Sequence, residues 1–127
     1  MKRIMIADND LIVQEKLANL LQGNRYDVSY IDDYSYMLDD IKMSNPQLII
    51  LDINLQNRND FSICRKVRAY TDVPIIFVAN QNTDIDELIS IMRSGDAYMM
   101  KPYSTIVLLT HINAILKNSN TTQYILQ

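Results

Sequence analysis

Asp8, Asp10, Asp52 and Lys101 each stand just after a short apolar run. Taken singly they have ordinary structural uses. Asp8 or Asp10 can be a helix N-cap, Asp52 a turn residue, and Lys101 a solvated loop charge. Brought to one edge of a sheet, they amount to more. Carboxylates gathered closely repel one another unless a cation neutralises them. Few, hard oxygen ligands favour Mg²⁺, which keeps several waters and leaves room for a phosphate. An ammonium at the same edge can pair with Asp52 and later with an added phosphoryl oxygen. Asp52 in such a cluster is suited to accepting a phosphoryl group, and the joint placement favours that reading over the single-residue ones.

The elements that must do the positioning are legible as apolar runs alternating with amphipathic stretches. Runs 4–7, 48–51 and 75–79 are continuous and apolar, as in strands buried on both faces of a parallel sheet, and 28–31 and 98–100 are weaker versions. Between them, helical spacing links Val13, Leu17, Leu20 and Leu21, with Asn9 or Asp10 as N-cap. Met37, Leu38 and Ile41 mark a second helix that stops before Pro46. Phe61, Cys64 and Val67 mark a third, capped by Asn59 or Asp60. Ile85, Leu88, Ile89 and Met92 mark a fourth, ending near Gly95, and Val107, Leu108, Leu109, Ile112 and Leu116 a fifth, after Pro102. Five β-α units in succession predict an α/β, doubly wound five-stranded parallel sheet with helices on both faces. In strand order 2-1-3-4-5, strands 1 and 3 are neighbours. Asp8, Asp10 and Asp52 then converge where ligands bind such sheets, outside the strands' carboxyl ends. Cys64 and Met92, Met99 and Met100 read as core, and His111 as an exposed or packing residue in mid-helix.

Composition narrows the classes. The chain is long enough for one domain with a sizeable core, and its 48% hydrophobic and 21% charged residues suit a globule. Fifteen acidic against twelve basic side chains, a net charge of -3, argue against nucleic acid as the partner of this piece. A single cysteine points to a reducing compartment, and no stretch has the length of a membrane span, so the cytoplasm is expected. Only Gly23 and Gly95 occur, which nearly excludes a glycine-rich phosphate loop. The polar stretch 118–123 reads as a linker, and the apolar residues 124–126 as the start of a further unit.

The segments IMIADND, LIILDINL, RAYTDVPIIFVAN and GDAYMMKPY resemble the receiver domain of two-component response regulators, the CheY-like fold, over residues 1 to about 118. VPIIF followed by a tract ending in KPY is similar to the OmpR/PhoB-like class, whose members carry a C-terminal winged-helix DNA-binding domain. On that resemblance, residues 119–127 are a linker and the start of such a domain. The resemblance implies that Asp52 is the phosphoacceptor, attacking phosphorus delivered by a histidine kinase. It implies that Asp8, Asp52 and the Asn54 backbone carbonyl hold Mg²⁺, with Asn9 or Asp10 as the remaining candidate ligand. Lys101 contacts the phosphoryl group, the Lys101–Pro102 peptide is cis, and Tyr98 is the switch aromatic. An active homodimer through the fourth and fifth helices is expected, with no membrane partner and DNA reached only through the effector domain.

Departures from the family pattern are equally specific. Asn9 stands where an aspartate normally binds Mg²⁺, so weak metal binding is expected. Ala79 stands where a serine or threonine hydroxyl normally meets the phosphoryl group. Gln56 and Asp60 replace the usual proline and glycine after Asp52, and the tract 95–101 is one residue short. Val107 and His111 occupy positions where charges usually lace the dimer. One alternative is a phosphorylation-independent receiver kept as a dimerisation or docking module. Another is a DxD phosphatase built on Asp8 and Asp10, against which stand the missing threonine after that motif and the absence of an acidic pair at Asn80 and Gln81. A flavodoxin-like cofactor site is weaker still, because the first loop is acidic. The reading is a signalling receiver rather than an enzyme, beyond assisting its own phosphorylation and dephosphorylation.

Overall fold

The computed structural model describes residues 1–31, 33–54 and 61–125, with side chains as far as Lys117. Five strands, β1 (Arg3–Ala7), β2 (Asp27–Ile31), β3 (Leu48–Asp52), β4 (Ile75–Ala79) and β5 (Ala97–Met100), form one parallel sheet ordered β2-β1-β3-β4-β5. They alternate with α1 (Leu11–Gly23), α2 (Met37–Ser44), α3 (Ser62–Tyr70), α4 (Ile85–Ile91) and α5 (Thr105–Ile125), and a 3₁₀ turn, Tyr34–Tyr36, leads into α2. The expected flavodoxin/CheY-like architecture is therefore present in full.

The central strands explain why the order is stable. Every residue of β3 and β4 is buried, and successive side chains enter opposite layers. Met5, Ile49, Leu51, Ile75 and Phe77 pack with Met37, Ile41, Cys64, Val67 and Leu88, which places α2, α3 and α4 on one face. Ile4, Ile6, Leu48, Ile50, Ile76 and Val78 pack with Leu17, Leu21, Leu108, Ile112 and Leu116, which places α1 and α5 on the other. Each such side chain contributes roughly 1.5–3 kcal/mol by leaving water. Asp10 is the N-cap of α1, accepting from the Ile12 and Val13 amides, so Asn9 does not fill that role. Asn45, in the left-handed region at φ 49°, ends α2 ahead of Pro46.

Two details differ from the expectation. The stretch 118–123, read as a linker, continues α5: the backbone stays helical to Ile125. It contains neither glycine nor proline, and extending an existing helix adds a hydrogen bond per residue with no new nucleation cost. Met100 is not core. It sits 36% exposed on β5, an edge strand whose alternate residue Met99 faces the α1 and α5 layer instead. Cys64 is buried and His111 exposed, as their positions suggested. Asn59 and Asp60, the expected caps of α3, lie outside the described residues, as does Gln56; Phe61 is at the N-cap position. Among the described residues no helix is long and apolar enough to cross a membrane.

Candidate functional site

The sheet order brings the carboxyl ends of β1, β3 and β5 to one edge. β1 and β3 are paired from Ile4 opposite Leu48 to Ala7 opposite Leu51, so Asp8, just past β1, and Asp52, the last residue of β3, lie at adjacent strand ends. Both are buried, at 4% and 3% exposure. Buried carboxylates are rare unless paired or ligated, and here both are held. The Asp8 amide donates to Ile31 O, its Oδ1 accepts from the Asp10 amide at 2.9 Å, and its carbonyl accepts from Gln14 Nε2 in the first turn of α1. Asp52 Oδ1 accepts from the Asn54 amide at 2.9 Å, and Oδ2 from Lys101 Nζ at 2.7 Å. The Asp52 carbonyl accepts from the Tyr34 hydroxyl.

Lys101 reaches across the sheet because its amide donates to Ala79 O at 2.8 Å, tying the end of β5 to the end of β4. The Lys101–Pro102 peptide bond is cis. Ala79 is buried and brings only a methyl group to this edge. Tyr98 is exposed on β5. Asn9 is exposed, and Asp10 spends its side chain capping α1. The fold thus brings together Asp8, Asp52, Asn54 and Lys101; Asn9 and Asp10 are exposed beside them, and Tyr98 is exposed on β5.

The charges act on one another. Burial pushes the Asp8 carboxyl above its ordinary value; the Asp10 amide pulls it back, the Asp52 charge raises it and Lys101 lowers it. Tyr103, two residues past Lys101, is pushed up to about 12 by burial and then by the negative charges of Asp8 and Asp52. Its hydroxyl therefore stays protonated beside the acidic pair. An open cavity of about 750 Å³ adjoins the site, lined by Asp10, Lys16, Asn80, Lys101, Tyr103 and Thr105 among others.

The donor set suits a hard dication. Among the described residues no group of three His, Cys, Asp or Glu side chains is gathered to hold a metal. Mg²⁺ needs less, because it takes one or two carboxylates and keeps its waters. Asp8 and Asp52 supply two, and their mutual repulsion is what a dication would relieve.

Sequence reasoning missed three residues of this site. Gln14 is a buried polar residue on a helix otherwise apolar on that side, a signal that was available. Tyr34 comes from the connection between β2 and α2, whose path the sequence did not reveal. Tyr103 looked only like the end of a motif.

The model of the response regulator receiver domain matches residues 4–113. Response regulator protein GraR of Staphylococcus aureus is 32% identical over 117 residues, 92% of this chain and 52% of that protein. The corresponding protein of Staphylococcus haemolyticus is 30% identical over 115 residues, 91% of this chain and 51% of that protein. The chain spans about half the length of the curated relatives it matches. Among solved structures, the N-terminal domain of the nisin resistance regulator NsrR superposes with a TM-score of 0.77 at 29% identity, covering 91% of this chain and 98% of that one. A two-component response regulator from Clostridium difficile gives 0.82 at 27% identity, covering 94% and 99%.

Proposed function

This chain belongs to the response regulator receiver family, and from that premise we propose that it receives its signal as a phosphoryl group on Asp52. The observation that carries the proposal is the buried Asp52 carboxylate with an ammonium on one oxygen and a backbone amide on the other. A carboxylate oxygen attacks phosphorus, an O–P bond forms, and the N–P bond of a phosphohistidine on a partner kinase breaks as the imidazole leaves. Such transfers rest on positioning and charge stabilisation. Lys101 gives up Asp52 Oδ2 for a phosphoryl oxygen, and the Asn54 amide keeps the carboxylate oriented. Asp8, Asp52 and the Asn54 carbonyl are the residues that would hold Mg²⁺, which offsets the charge of the phosphoryl oxygens when bound.

Incubation with acetyl phosphate and Mg²⁺, followed by intact-mass spectrometry, should show one added phosphate, and Asp52→Ala should show none. Phosphate on the Asp52→Ala chain would refute the assignment. The second reading, a docking module independent of phosphate, is favoured by the methyl group of Ala79 where a hydroxyl would close the switch. A homodimer through α4 and α5 is supported by the exposed side chains Ile89, Tyr98 and Val107 on α4, the β5 edge and α5. We place the domain in the cytoplasm, joined in its parent protein to a DNA-binding effector. A reading frame that stops after Gln127 would contradict that last part and favour the docking module.

A further inference from the structure

Asp52 is held by more than its side chain. β1 pairs with β3 only as far as Ala7 opposite Leu51. On the other side Asp52 lies opposite Val78, and the Ile53 amide donates to Val78 O. Successive residues of a strand offer their main-chain groups to opposite sides, so the Asp52 carbonyl faces the side on which β1 has ended. A buried carbonyl there needs a donor from elsewhere. The Tyr34 hydroxyl supplies it. The tyrosine is aimed by its surroundings: its ring is partly buried against the core layer that includes Met37, Ile41 and Leu51, and it opens the 3₁₀ turn that Asp33 caps through the Ser35 amide.

We propose that Tyr34 is a positioning residue for the phosphoacceptor, its hydroxyl fixing the main chain of Asp52 so that the carboxylate meets Lys101 and the incoming phosphorus in one geometry. The inference rests on the assignment of Asp52 above. It adds a role for the β2–α2 connection. Displacement of a reacting group by a fraction of an ångström slows a transfer that depends on alignment. A hydrogen bond of ordinary net strength corresponds to about a 2- to 10-fold change.

Tyr34→Phe removes one oxygen and keeps the ring on the core. Two readouts are needed. Hydrogen exchange at the Ile53 and Asn54 amides, followed by NMR, should quicken about 2- to 10-fold, and phosphorylation of Asp52 by acetyl phosphate should slow by a similar factor. Tyr36→Phe, in the same turn at a residue 62% exposed, should change neither. Ile41→Val, which loosens the α2 core, should lower the thermal midpoint and leave the phosphorylation rate alone. Exchange and rate equal to wild type in Tyr34→Phe overturn the proposal. So does an equal loss of rate in Ile41→Val, because the effect is then general stability. A wild type that takes no phosphate overturns the Asp52 assignment instead, and the exchange comparison then decides the tether by itself.

Discussion

Arg68 and Asp96 form a buried ion pair at the end of the sheet away from the acidic site, and removing the arginine should cost the domain a large share of its stability. Their side chains are 5% and 1% exposed. Arg68 Nη1 lies 3.2 and 3.1 Å from the two Asp96 oxygens, and Nη2 donates to Thr71 O and Val73 O at 2.8 Å each. Asp96 also accepts from the Ile75 and Arg93 amides at 2.9 Å. The pair therefore joins the end of α3, the entry to β4 and the turn before β5. Arg68→Met strands a buried carboxylate and two carbonyls at once. Breaking a buried pair from one side costs about 3–5 kcal/mol, against a total of about 5–15 kcal/mol for a domain. Asp96→Asn keeps an acceptor for one amide and loses the charge, so its cost should be smaller. The double variant should be less destabilised than the sum, by a coupling of about 0.5–3 kcal/mol. Urea denaturation followed by circular dichroism, with linear extrapolation, measures all three. The pair need not be worth more than a well-packed apolar substitute, because Arg68 Nε is buried with no hydrogen-bond partner among the described residues. A loss below about 1 kcal/mol in Arg68→Met, or additive single costs, would refute the reasoning.

Asp8 has a folded pKa raised above its ordinary value of 3.8. The stability it contributes is thus fully present below 3.8 and is lost as pH rises through the folded value. Asp8→Asn should raise the thermal midpoint of the metal-free domain at neutral pH, with the gain shrinking towards pH 4; a pH-independent gain would count against this. Added Mg²⁺ should then raise the midpoint of the wild type and not that of Asp8→Asn. In an ultraviolet titration Tyr103 should ionise only near 12, and Tyr103→Phe should delete that late step rather than an earlier one. Asn9→Asp with Ala79→Thr should bind Mg²⁺ more tightly and dimerise more fully with beryllofluoride than the wild type. Equal behaviour would mean that those two positions are silent.

Much of the fold was legible because each β-α unit states its own period. Runs 48–51 and 75–79 are apolar without alternation, which only a strand covered on both faces requires, and the helices between them show one apolar stripe each. Asp8, Asp52 and Lys101 were legible for a related reason: each ends such a run, and a parallel sheet sends all its strand ends to one edge. The helical backbone at the end of α5 was not legible because a polar stretch without periodicity looks the same whether it is irregular or helical, and only a helix already running decides between them. Local pattern also could not separate Met99 from Met100, since which side of an edge strand is covered depends on where α5 packs. The choice of Asp10 over Asn9 as cap, the burial of Asp8 against Asp52, and the reach of Tyr34 to the Asp52 carbonyl depend on distances between segments far apart in the chain. Those distances follow from strand order and layer packing. The residues that could do chemistry were thus readable from the sequence, whereas the groups that hold them in place came only with the tertiary structure, because a hydrogen bond across the fold leaves no period in the chain.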